Sequence, residues 1–290
     1  MAHASRLALG TVQFGLNYGV ANASGQVAVE EIARIIARAS GAGLHMLDTA
    51  IAYGDAEHRL GEVGVAGWKV VTKLPPIPDS VSAVSWVRSQ VNESMARLNV
   101  SSLYALMLHQ PSGLFSTQGG AFFDALNELK CDGRVEKIGI SAYGPEEIEA
   151  VIARFPIDIV QAPLNIIDRR MQESGCLAVL DQQGIEFHAR SIFLQGLLLM
   201  GTVNRPPWFA RWADLWAAWH AWLTENQLTP LVASLSFVAS DPRVSRMVVG
   251  VDSLAQLNQI IRAVDGPMTT DFPAELASAD PELINPIGWG

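Results

Sequence analysis

The amino-acid sequence predicts an α/β protein, a (β/α)8 TIM barrel that forms a single domain over residues 1–290. Short apolar runs of strand-forming residues alternate with segments of helical spacing along the whole chain, which is typical of βα units and a parallel sheet. Eight such runs occur in about 250 residues, and this number favours a closed barrel over an open sheet. No linker, low-complexity tract or change of composition divides the chain.

The eight strands are predicted at residues 7–13, 44–48, 69–74, 103–109, 137–141, 157–164, 186–190 and 246–250. Helical spacing is clear between them, as in the first helix, where Ile32, Ile35, Ile36 and Ala39 share one face. Glycines before the second and fifth strands are typical of helix ends. A Gly-x-Gly-x-x-Gly motif after the first strand would favour an open dinucleotide-binding sheet, and the sequence has none there.

Two segments depart from the regular alternation. A Trp-rich insertion near residues 205–226 is predicted to form a loop and a helix at about 209–226, and a second helix then begins at Pro230 and runs to about Ser240. The C-terminal tail, residues 265–290, contains four prolines and is predicted to be an irregular segment laid over the barrel.

Composition and charge exclude several classes of protein. With 49% hydrophobic and 17% charged residues the chain is globular, and a net charge of −9 argues against nucleic acid or an anionic membrane as partner. The two cysteines, Cys131 and Cys176, form neither a disulfide framework nor a metal motif, so we expect a cytoplasmic protein without a bound metal. Neither a signal peptide nor a membrane span is expected.

Polar residues follow several of the predicted strands. The carboxyl ends of parallel barrel strands converge on one mouth, where such enzymes carry out their chemistry. The candidates at this mouth are Asp48, Tyr53, Glu57, Lys73, His109, Ser141, Gln161, Asn165, Arg190 and Ser191.

Four of these candidates have the chemistry of a proton donor and its tuning groups. A tyrosine hydroxyl such as that of Tyr53 titrates near 10, and a nearby ammonium such as Lys73 is expected to lower that pKa. A carboxylate, Asp48, would hold the lysine, and a neutral His109 can orient a carbonyl oxygen. Taken singly, each has an ordinary alternative: Asp48 could cap a helix, Lys73 could be a solvated strand end, and His109 could be a core histidine.

The chain resembles the aldo-keto reductase superfamily, as a bacterial-type member. The resemblance runs from Leu9-Gly10-Thr11 to about Ile260. Its motifs are Leu47-Asp48-Thr49-Ala50-Ile51-Ala52-Tyr53-Gly54 with Glu57 and Leu60-Gly61, Val71-Thr72-Lys73, Leu108-His109-Gln110-Pro111, Lys137-Ile138-Gly139-Ile140-Ser141 and Gln161-Ala162-Pro163-Leu164-Asn165.

This resemblance implies an NAD(P)H-dependent oxidoreductase that reduces an aldehyde or ketone to an alcohol. Tyr53 would be the general acid, Lys73 and Asp48 would tune it, and His109 would orient the carbonyl of a small-molecule substrate. NADPH is the cofactor that the resemblance implies first. The cofactor-binding residues would be Gly10, Thr11, Asp48, Ser141, Gln161, Asn165, Arg190, Ser191, Gly196, Gly250, Ser253 and Gln256.

Three positions depart from the family pattern. Ala142 follows Ser141 where the family commonly has asparagine, and Arg190 stands where a tyrosine often stacks on the nicotinamide ring. We expect Arg190 either to weaken binding of the oxidised cofactor or to bind an anionic substrate. Asp252 stands where a basic residue often pairs with the 2′-phosphate, so NADH is the alternative cofactor unless Asp252 merely caps the last helix.

Substrate contacts are expected from Tyr18, His109, Trp208 and Trp212, because an aromatic segment after strand seven is placed to form a wall of the pocket. The alternative for the tryptophans is packing against the barrel or an oligomer interface. Two further functions stay open: a cofactor-binding regulatory or interaction protein with little turnover, and a barrel isomerase or lyase. The sequence does not predict the oligomeric state or the identity of the substrate.

Overall fold

The computed structural model describes residues 3–22, 25–78 and 81–289, so residues 1, 2, 23, 24, 79, 80 and 290 of the predicted domain lie outside the described residues. Eight parallel strands pair in chain order and close into a barrel, which confirms the predicted fold class. The strands are β1 (Leu7–Gly10), β2 (Met46–Asp48), β3 (Lys69–Leu74), β4 (Leu103–Leu108), β5 (Val135–Ser141), β6 (Ile159–Pro163), β7 (Glu186–Arg190) and β8 (Val244–Gly250).

Helices connect the strands on the outside of the barrel. They are α1 (Val12–Gly15), α2 (Val29–Gly41), α3 (Ala56–Val63), α4 (Ala83–Leu98), α5 (Gly119–Cys131), α6 (Pro145–Ile152), α7 (Arg170–Glu173), α8 (Cys176–Gln182), α9 (Ala213–Glu225), α10 (Pro230–Ala239), α11 (Leu254–Asp265) and α12 (Pro281–Ile284). Short 3-10 helices span His3–Arg6, Pro111–Phe115, Leu194–Leu199, Thr202–Asn204, Pro207–Trp212, Ala274–Leu276 and Pro286–Gly288. Within the described ranges, no helix combines the length and the apolar character that a bilayer span requires.

The barrel closes where β1 pairs with both β2 and β8. Gly10 lies opposite Asp48 on one side and opposite Gly250 on the other. These three residues therefore meet at the carboxyl end of the barrel, which is the end at which the predicted site residues accumulate.

Apolar side chains fill both the barrel and the layer between strands and helices. In α2 the spacing of Ile32, Ile35, Ile36 and Ala39 places all four against the sheet, as the sequence predicts. A separate cluster lies among the strands and consists of Ala8, Met46, Val71, Tyr104, Ala105, Met107 and Ile159. The interior of the barrel is thus a packed core.

The amino end of the barrel carries a charged cluster around Glu186. Lys137 Nζ lies 2.6 Å from Glu186 Oε1, and the Tyr104 hydroxyl donates to both carboxylate oxygens at 2.9 Å. His188 Nε2 lies 3.5 Å from Glu186 Oε2, at the outer limit of a hydrogen bond. Burial alone would raise the pKa of Glu186, but contacts with His188, Lys137 and Tyr104 lower it to about 2.

Several predicted boundaries shift by a few residues, while β3 and β7 have the predicted bounds. The largest change is in β1, which ends at Gly10 rather than at residue 13. The backbone N–H and the hydroxyl of Thr11 both donate to the Asp48 carbonyl at 3.0 Å, and α1 begins at the next residue. The first strand therefore turns away from the sheet sooner than its apolar pattern indicates.

The Trp-rich insertion consists of the 3-10 helix Pro207–Trp212 and α9, and α10 follows at Pro230 as predicted. Trp216 and Trp219 are buried, at 3% and 1% exposure. Their indole N–H groups donate to the carbonyls of Phe209 and Leu198. For these two tryptophans, packing is the alternative that the structure supports.

The C-terminal tail is more regular than predicted, because it contains two 3-10 helices and α12. It is fastened to the Trp-rich segment: Trp212 Nε1 donates to Asp280 Oδ2 at 2.9 Å, and the rings of Phe209 and Trp289 lie 4.8 Å apart. The tail reaches the mouth of the barrel, where Pro286 lines the cavity at the carboxyl end of the strands.

Candidate active site

A cavity of about 700 Å³ opens at the carboxyl end of the strands. Its volume falls within the range of about 300–1,000 Å³ that is usual for small-molecule and cofactor sites. The structure brings thirteen predicted site residues to its lining: Gly10, Thr11, Tyr18, Asp48, Tyr53, His109, Ser141, Gln161, Arg190, Ser191, Gly196, Gly250 and Gln256.

Trp208 and Trp212 do not line this cavity, contrary to the expectation of substrate contacts. Trp208 is 43% exposed and its ring is covered by the guanidinium of Arg211, 3.8 Å from the ring centroid. Trp212 bonds to Asp280 in the tail. The aromatic segment lies after β7, but its rings pack against the tail and the core instead of forming the pocket wall.

Asn165 and Ser253 also lie outside the cavity lining, and their side chains form hydrogen bonds with backbone groups. Asn165 Oδ1 accepts from the backbone N–H groups of Ile167 and Asp168, and its Nδ2 donates to the Ser191 carbonyl at 3.1 Å. Asn165 therefore fixes the turn after β6 to the loop after β7, and its side chain is fully buried.

Glu57 lies within α3, away from the cavity, rather than in a loop at the mouth. Its Oε1 accepts from the hydroxyls of Thr72 and Ser94 at 2.7 Å each, and its Oε2 accepts from Arg97 Nε and Nη2 at 2.9 and 2.7 Å. This 2%-exposed carboxylate ties α3 to β3 and α4. Because α3 begins at Ala56, the same anchor holds the turn that carries Tyr53.

A buried ion pair lies behind the cavity. Lys73 Nζ is 2.7 Å from Asp48 Oδ1 and donates to the Thr49 carbonyl at 2.8 Å, while Gln161 Nε2 donates to Asp48 Oδ2 at 2.6 Å. Lys73 has no exposed surface. Burial lowers the pKa of Lys73, and Asp48 opposes that shift. The pair is stable because hydrogen bonds satisfy both carboxylate oxygens.

Tyr53 and His109 lie next to each other in front of this pair. Their ring centroids are 5.8 Å apart in an edge-to-face arrangement, and Lys73 Nζ is 5.3 Å from the centroid of the Tyr53 ring. Both side chains line the cavity. A ligand oxygen at this point can therefore meet the phenol and the imidazole together.

The pKa of Tyr53 shifts in the direction opposite to the expectation from sequence. Burial raises the pKa of Tyr53, the Asp48 carboxylate raises it further, and Arg190 opposes both. Lys73 does not lower this pKa because its charge is balanced by Asp48 at 2.7 Å. Tyr53 is consequently a neutral phenol at neutral pH, which is the protonation state that a proton donor needs.

His109 is neutral as well. Burial, with the positive charges of Lys73 and Arg190, lowers the pKa of His109 to about 4. A neutral imidazole donates one N–H and is uncharged, so it can orient a carbonyl oxygen without competing with Tyr53 as the acid.

Arg190 and Tyr143 form a stacked pair, of which only Arg190 was predicted from the sequence as a site residue. The guanidinium carbon lies 4.3 Å from the Tyr143 ring centroid; Nη2 donates to the Ala142 carbonyl at 3.1 Å and Nη1 to Ser191 Oγ at 3.2 Å. Arg190 thus reaches from the end of β7 across β6 to the residues after β5. Tyr143 gave no signal in the sequence, since its contact depends on a residue 47 positions later.

The loop after β7 has an unusual backbone. Ser191, Leu194, Gln195 and Gly196 all have φ between +48° and +89°, the left-handed region that side chains other than glycine rarely adopt. A Cβ on Gly196 would lie 2.6 Å from Ala21 Cβ. Strained backbone of this kind is concentrated at ligand-binding loops, and this loop lines the cavity.

Asp252, after β8, lines the cavity across the barrel from β4. Its Oδ1 is buried and has no hydrogen-bond partner within the described part of the chain. Burial raises the pKa of Asp252. The capping alternative is wrong for this residue: Ser253 caps α11, with its hydroxyl accepting from the Gln256 N–H at 3.3 Å.

The comparisons with known proteins agree with this geometry. The Aldo/keto reductase family model matches residues 6–281. The chain belongs to the aldo/keto reductase family. Among the residues that the structure describes, no group of three or more His, Cys, Asp or Glu side chains is placed to hold a metal ion.

Relatives within the aldo/keto reductase family are distant. The chain is 26% identical over 195 residues to the NADH-specific methylglyoxal reductase of Escherichia coli (strain K12), which covers 62% of this chain and 59% of that protein. It is 23% identical over 282 residues to the L-galactose dehydrogenase of Arabidopsis thaliana, covering 91% and 87%. A solved aldo-keto reductase from Bacillus halodurans, in its holo form, has a TM-score of 0.73 at 20% identity and covers 91% of this chain and 88% of that one.

Proposed function

We propose that the protein reduces an aldehyde or ketone of a small molecule to an alcohol, with hydride from a nicotinamide dinucleotide. The observation that carries this proposal is a neutral Tyr53 beside a neutral His109, backed by the buried Lys73–Asp48 pair, at one end of a cavity large enough for a dinucleotide. A cytoplasmic location is proposed with it, because Cys131 and Cys176 are both unpaired.

The cavity fits a dinucleotide in its polar features. Ser141 and Gln161 would hold the carboxamide, and the loop of residues 191–196 would hold the diphosphate through its backbone. A Cβ at Gly250 would lie 2.7 Å from Gln13 Nε2, so glycine leaves room for the side-chain amide of Gln13, which lines the cavity. Gln13 Oε1 is itself buried without a partner in the described residues. When bound, the nicotinamide supplies the hydride.

The side chains of the protein supply the proton and its control. The substrate carbonyl oxygen accepts hydrogen bonds from the Tyr53 hydroxyl and from the His109 N–H. As negative charge develops on that oxygen, Tyr53 transfers its proton and becomes a phenolate. The guanidinium of Arg190, which opposes the rise in the Tyr53 pKa, stabilises this phenolate until solvent returns a proton, and the Lys73–Asp48 pair holds its place behind the ring.

NADH is the form of the cofactor that we propose, although the resemblance alone implied NADPH first. Among the described residues that line the cavity, Arg190 is the only Lys or Arg, and its guanidinium stacks on the Tyr143 ring. Asp252 lines the region after β8 with an unpartnered carboxylate oxygen, which would accept from a ribose 2′-hydroxyl and repel a 2′-phosphate. The NADH-specific activity in the name of the Escherichia coli relative supports this choice.

The test combines binding with turnover. Titration with NADH and NADPH, followed by tryptophan fluorescence, gives both dissociation constants, and a panel of aldehydes is then added while the nicotinamide absorbance is recorded. Tyr53→Phe should lower kcat at least ~100-fold and leave the Kd for NADH unchanged. Tyr104→Phe, which removes a hydroxyl at the amino end of the barrel, is the matched control and should retain turnover.

The outcomes separate the alternatives. Turnover retained in Tyr53→Phe would show that the proton comes from another group. Binding of NADH without turnover of any aldehyde would replace the proposal with a cofactor-binding regulatory role. Tighter binding of NADPH than of NADH would refute the proposed role of Asp252 in selecting NADH. If Asp252 has this role, Asp252→Ser should shift the preference toward NADPH.

A further inference from the structure

We propose that the substrate carries an anionic group, a carboxylate or a phosphate, and that Arg190 binds it. This inference rests on the proposed function, because it names the class of carbonyl compound that the same cavity reduces.

The reacting end of the cavity has an unbalanced positive charge. Lys73 and Asp48 neutralise each other at 2.7 Å, and Tyr53 and His109 are uncharged. Arg190 is partly buried, and no carboxylate among the described residues lies within ion-pair distance of it. In a chain of net charge −9, an arginine held in a cavity without a carboxylate partner is a specific feature.

The guanidinium is held in place before any ligand arrives. It stacks on the Tyr143 ring and donates to the Ala142 carbonyl and to Ser191 Oγ. These contacts use one N–H of each terminal nitrogen, and in the described part of the chain Nε and the other N–H groups have no recorded partner. A fixed fork of free N–H donors matches the geometry of a carboxylate or phosphate.

Arg190 lines the same cavity as Tyr53 and His109. Its charge acts on the pKa of Tyr53, of His109 and of Tyr18. Three of the four tyrosines in the chain, Tyr18, Tyr53 and Tyr143, line the cavity with it. The Tyr18 hydroxyl accepts from Gln195 Nε2 at 3.0 Å and so retains its own proton to donate. Because Tyr53 and Arg190 line one cavity, a molecule with its carbonyl at Tyr53 can place an anionic group at Arg190.

The diphosphate of the dinucleotide is the other possible source of an anion. The direction of the side chain favours the substrate. The guanidinium stacks on Tyr143 and donates from Nη2 to Ala142, both after β5, and Nη1 contacts the first residue of the loop assigned to the diphosphate, Ser191, but none of residues 194–196. The two sources make different predictions for binding of the cofactor, so one variant distinguishes them.

The experiment compares aldehydes that carry an anionic group with uncharged analogues of similar carbon skeleton. For the wild type, kcat/KM is measured with NADH for glyoxylate against glycolaldehyde, for succinic semialdehyde against butanal, and for glycolaldehyde phosphate against glycolaldehyde. We expect one anionic member to be preferred by about 10- to 100-fold, and Arg190→Gln to remove that preference. The ratio within each pair cancels any effect of Arg190 on the pKa of Tyr53. Arg211→Gln, which alters an arginine that stacks on Trp208 outside the cavity, should leave the ratio unchanged.

Binding measurements distinguish failure of this inference from failure of the proposed function. The Kd for NADH should change less than about threefold in Arg190→Gln, and oxalate should bind to the enzyme–NADH complex by calorimetry only when Arg190 is present. An unchanged substrate ratio with a tenfold weaker Kd for NADH would assign Arg190 to the diphosphate and overturn the inference. If no aldehyde is reduced but oxalate binding depends on Arg190, the anion site stands and the proposed reduction does not.

Discussion

Glu57 offers the sharpest test of how the fold holds the proton donor. It is the shared acceptor for Thr72, Ser94 and Arg97, so a single side chain joins one strand and two helices. Substitution should destabilise the protein without touching the cavity, because Glu57 does not line it. Two variants, Glu57→Ala and Glu57→Gln, remove different parts of this network.

The expected magnitudes follow from the hydrogen bonds. Glu57→Ala leaves two buried hydroxyls and the Arg97 guanidinium without their acceptor, and breaking such a network costs about 3–5 kcal/mol. Arg97 is 33% exposed and partly regains water, which places the loss near the lower end. In Glu57→Gln the amide oxygen still accepts from Arg97, and the amide N–H groups donate to hydroxyls that can rotate. Only the charge is lost, at about 1–2 kcal/mol.

Urea unfolding at pH 7, followed by tryptophan fluorescence, measures both losses in the free energy of unfolding. Glu62→Ala is the matched control in α3: in the described part of the chain Glu62 pairs only with the exposed His58, and its loss should cost no more than ~0.5 kcal/mol. The reasoning is refuted if Glu57→Ala costs less than ~1 kcal/mol, or if Glu57→Gln is as damaging as Glu57→Ala.

Four other predictions follow from the structure. Because the pKa of His109 is lowered to about 4, kcat/KM should stay level between about pH 8 and 5 and fall only as the imidazole gains a proton near pH 4. The pKa of Glu186 falls from 4.5 to about 2 on folding, so its stabilisation is full above pH 4.5 and is lost toward pH 2. Glu186→Gln should therefore lower the urea midpoint at pH 7 and differ less from wild type in acid. Gly196→Ala should weaken NADH binding about tenfold because of its φ of +89°, whereas Gly201→Ala, at an open position with φ of −68°, should not. The oxidised cofactor should bind more weakly than the reduced cofactor, and Arg190→Gln should reduce the difference between the two dissociation constants. Equal affinities of the wild type for the two forms would contradict this prediction.

The periodicity of the sequence was sufficient for the architecture but not for strand ends. Apolar runs identify a strand because both faces of a barrel strand are buried, and β3 and β7 have the predicted bounds. Where a strand ends depends on its neighbours: Thr11 leaves the sheet because it bonds to the Asp48 carbonyl, 37 residues away. Such long-range contacts leave no periodic signal.

The candidate site could be predicted as far as the order of the strands determines which residues lie at the mouth of the barrel. Asp48, Tyr53 and His109 meet there because their strands end there. The direction of the Tyr53 pKa shift was not predictable, since it depends on how closely Asp48 neutralises Lys73. The Trp-rich insertion likewise indicated an aromatic helix after β7, but the sequence does not tell whether its rings meet a ligand, the core or the tail.

The two ends of β7 show how one strand serves stability and ligand binding separately. At its first residue, Glu186 is paired with Lys137 and accepts from Tyr104, so its charge is balanced within the fold. At its last residue, Arg190 rests on Tyr143 and on backbone and hydroxyl oxygens, and no carboxylate of the described chain pairs with it. A charge that contributes to folding is matched by the protein itself. A charge that the fold positions but does not match is best explained by a ligand of opposite sign, which is why Arg190 carries the proposal of an anionic substrate.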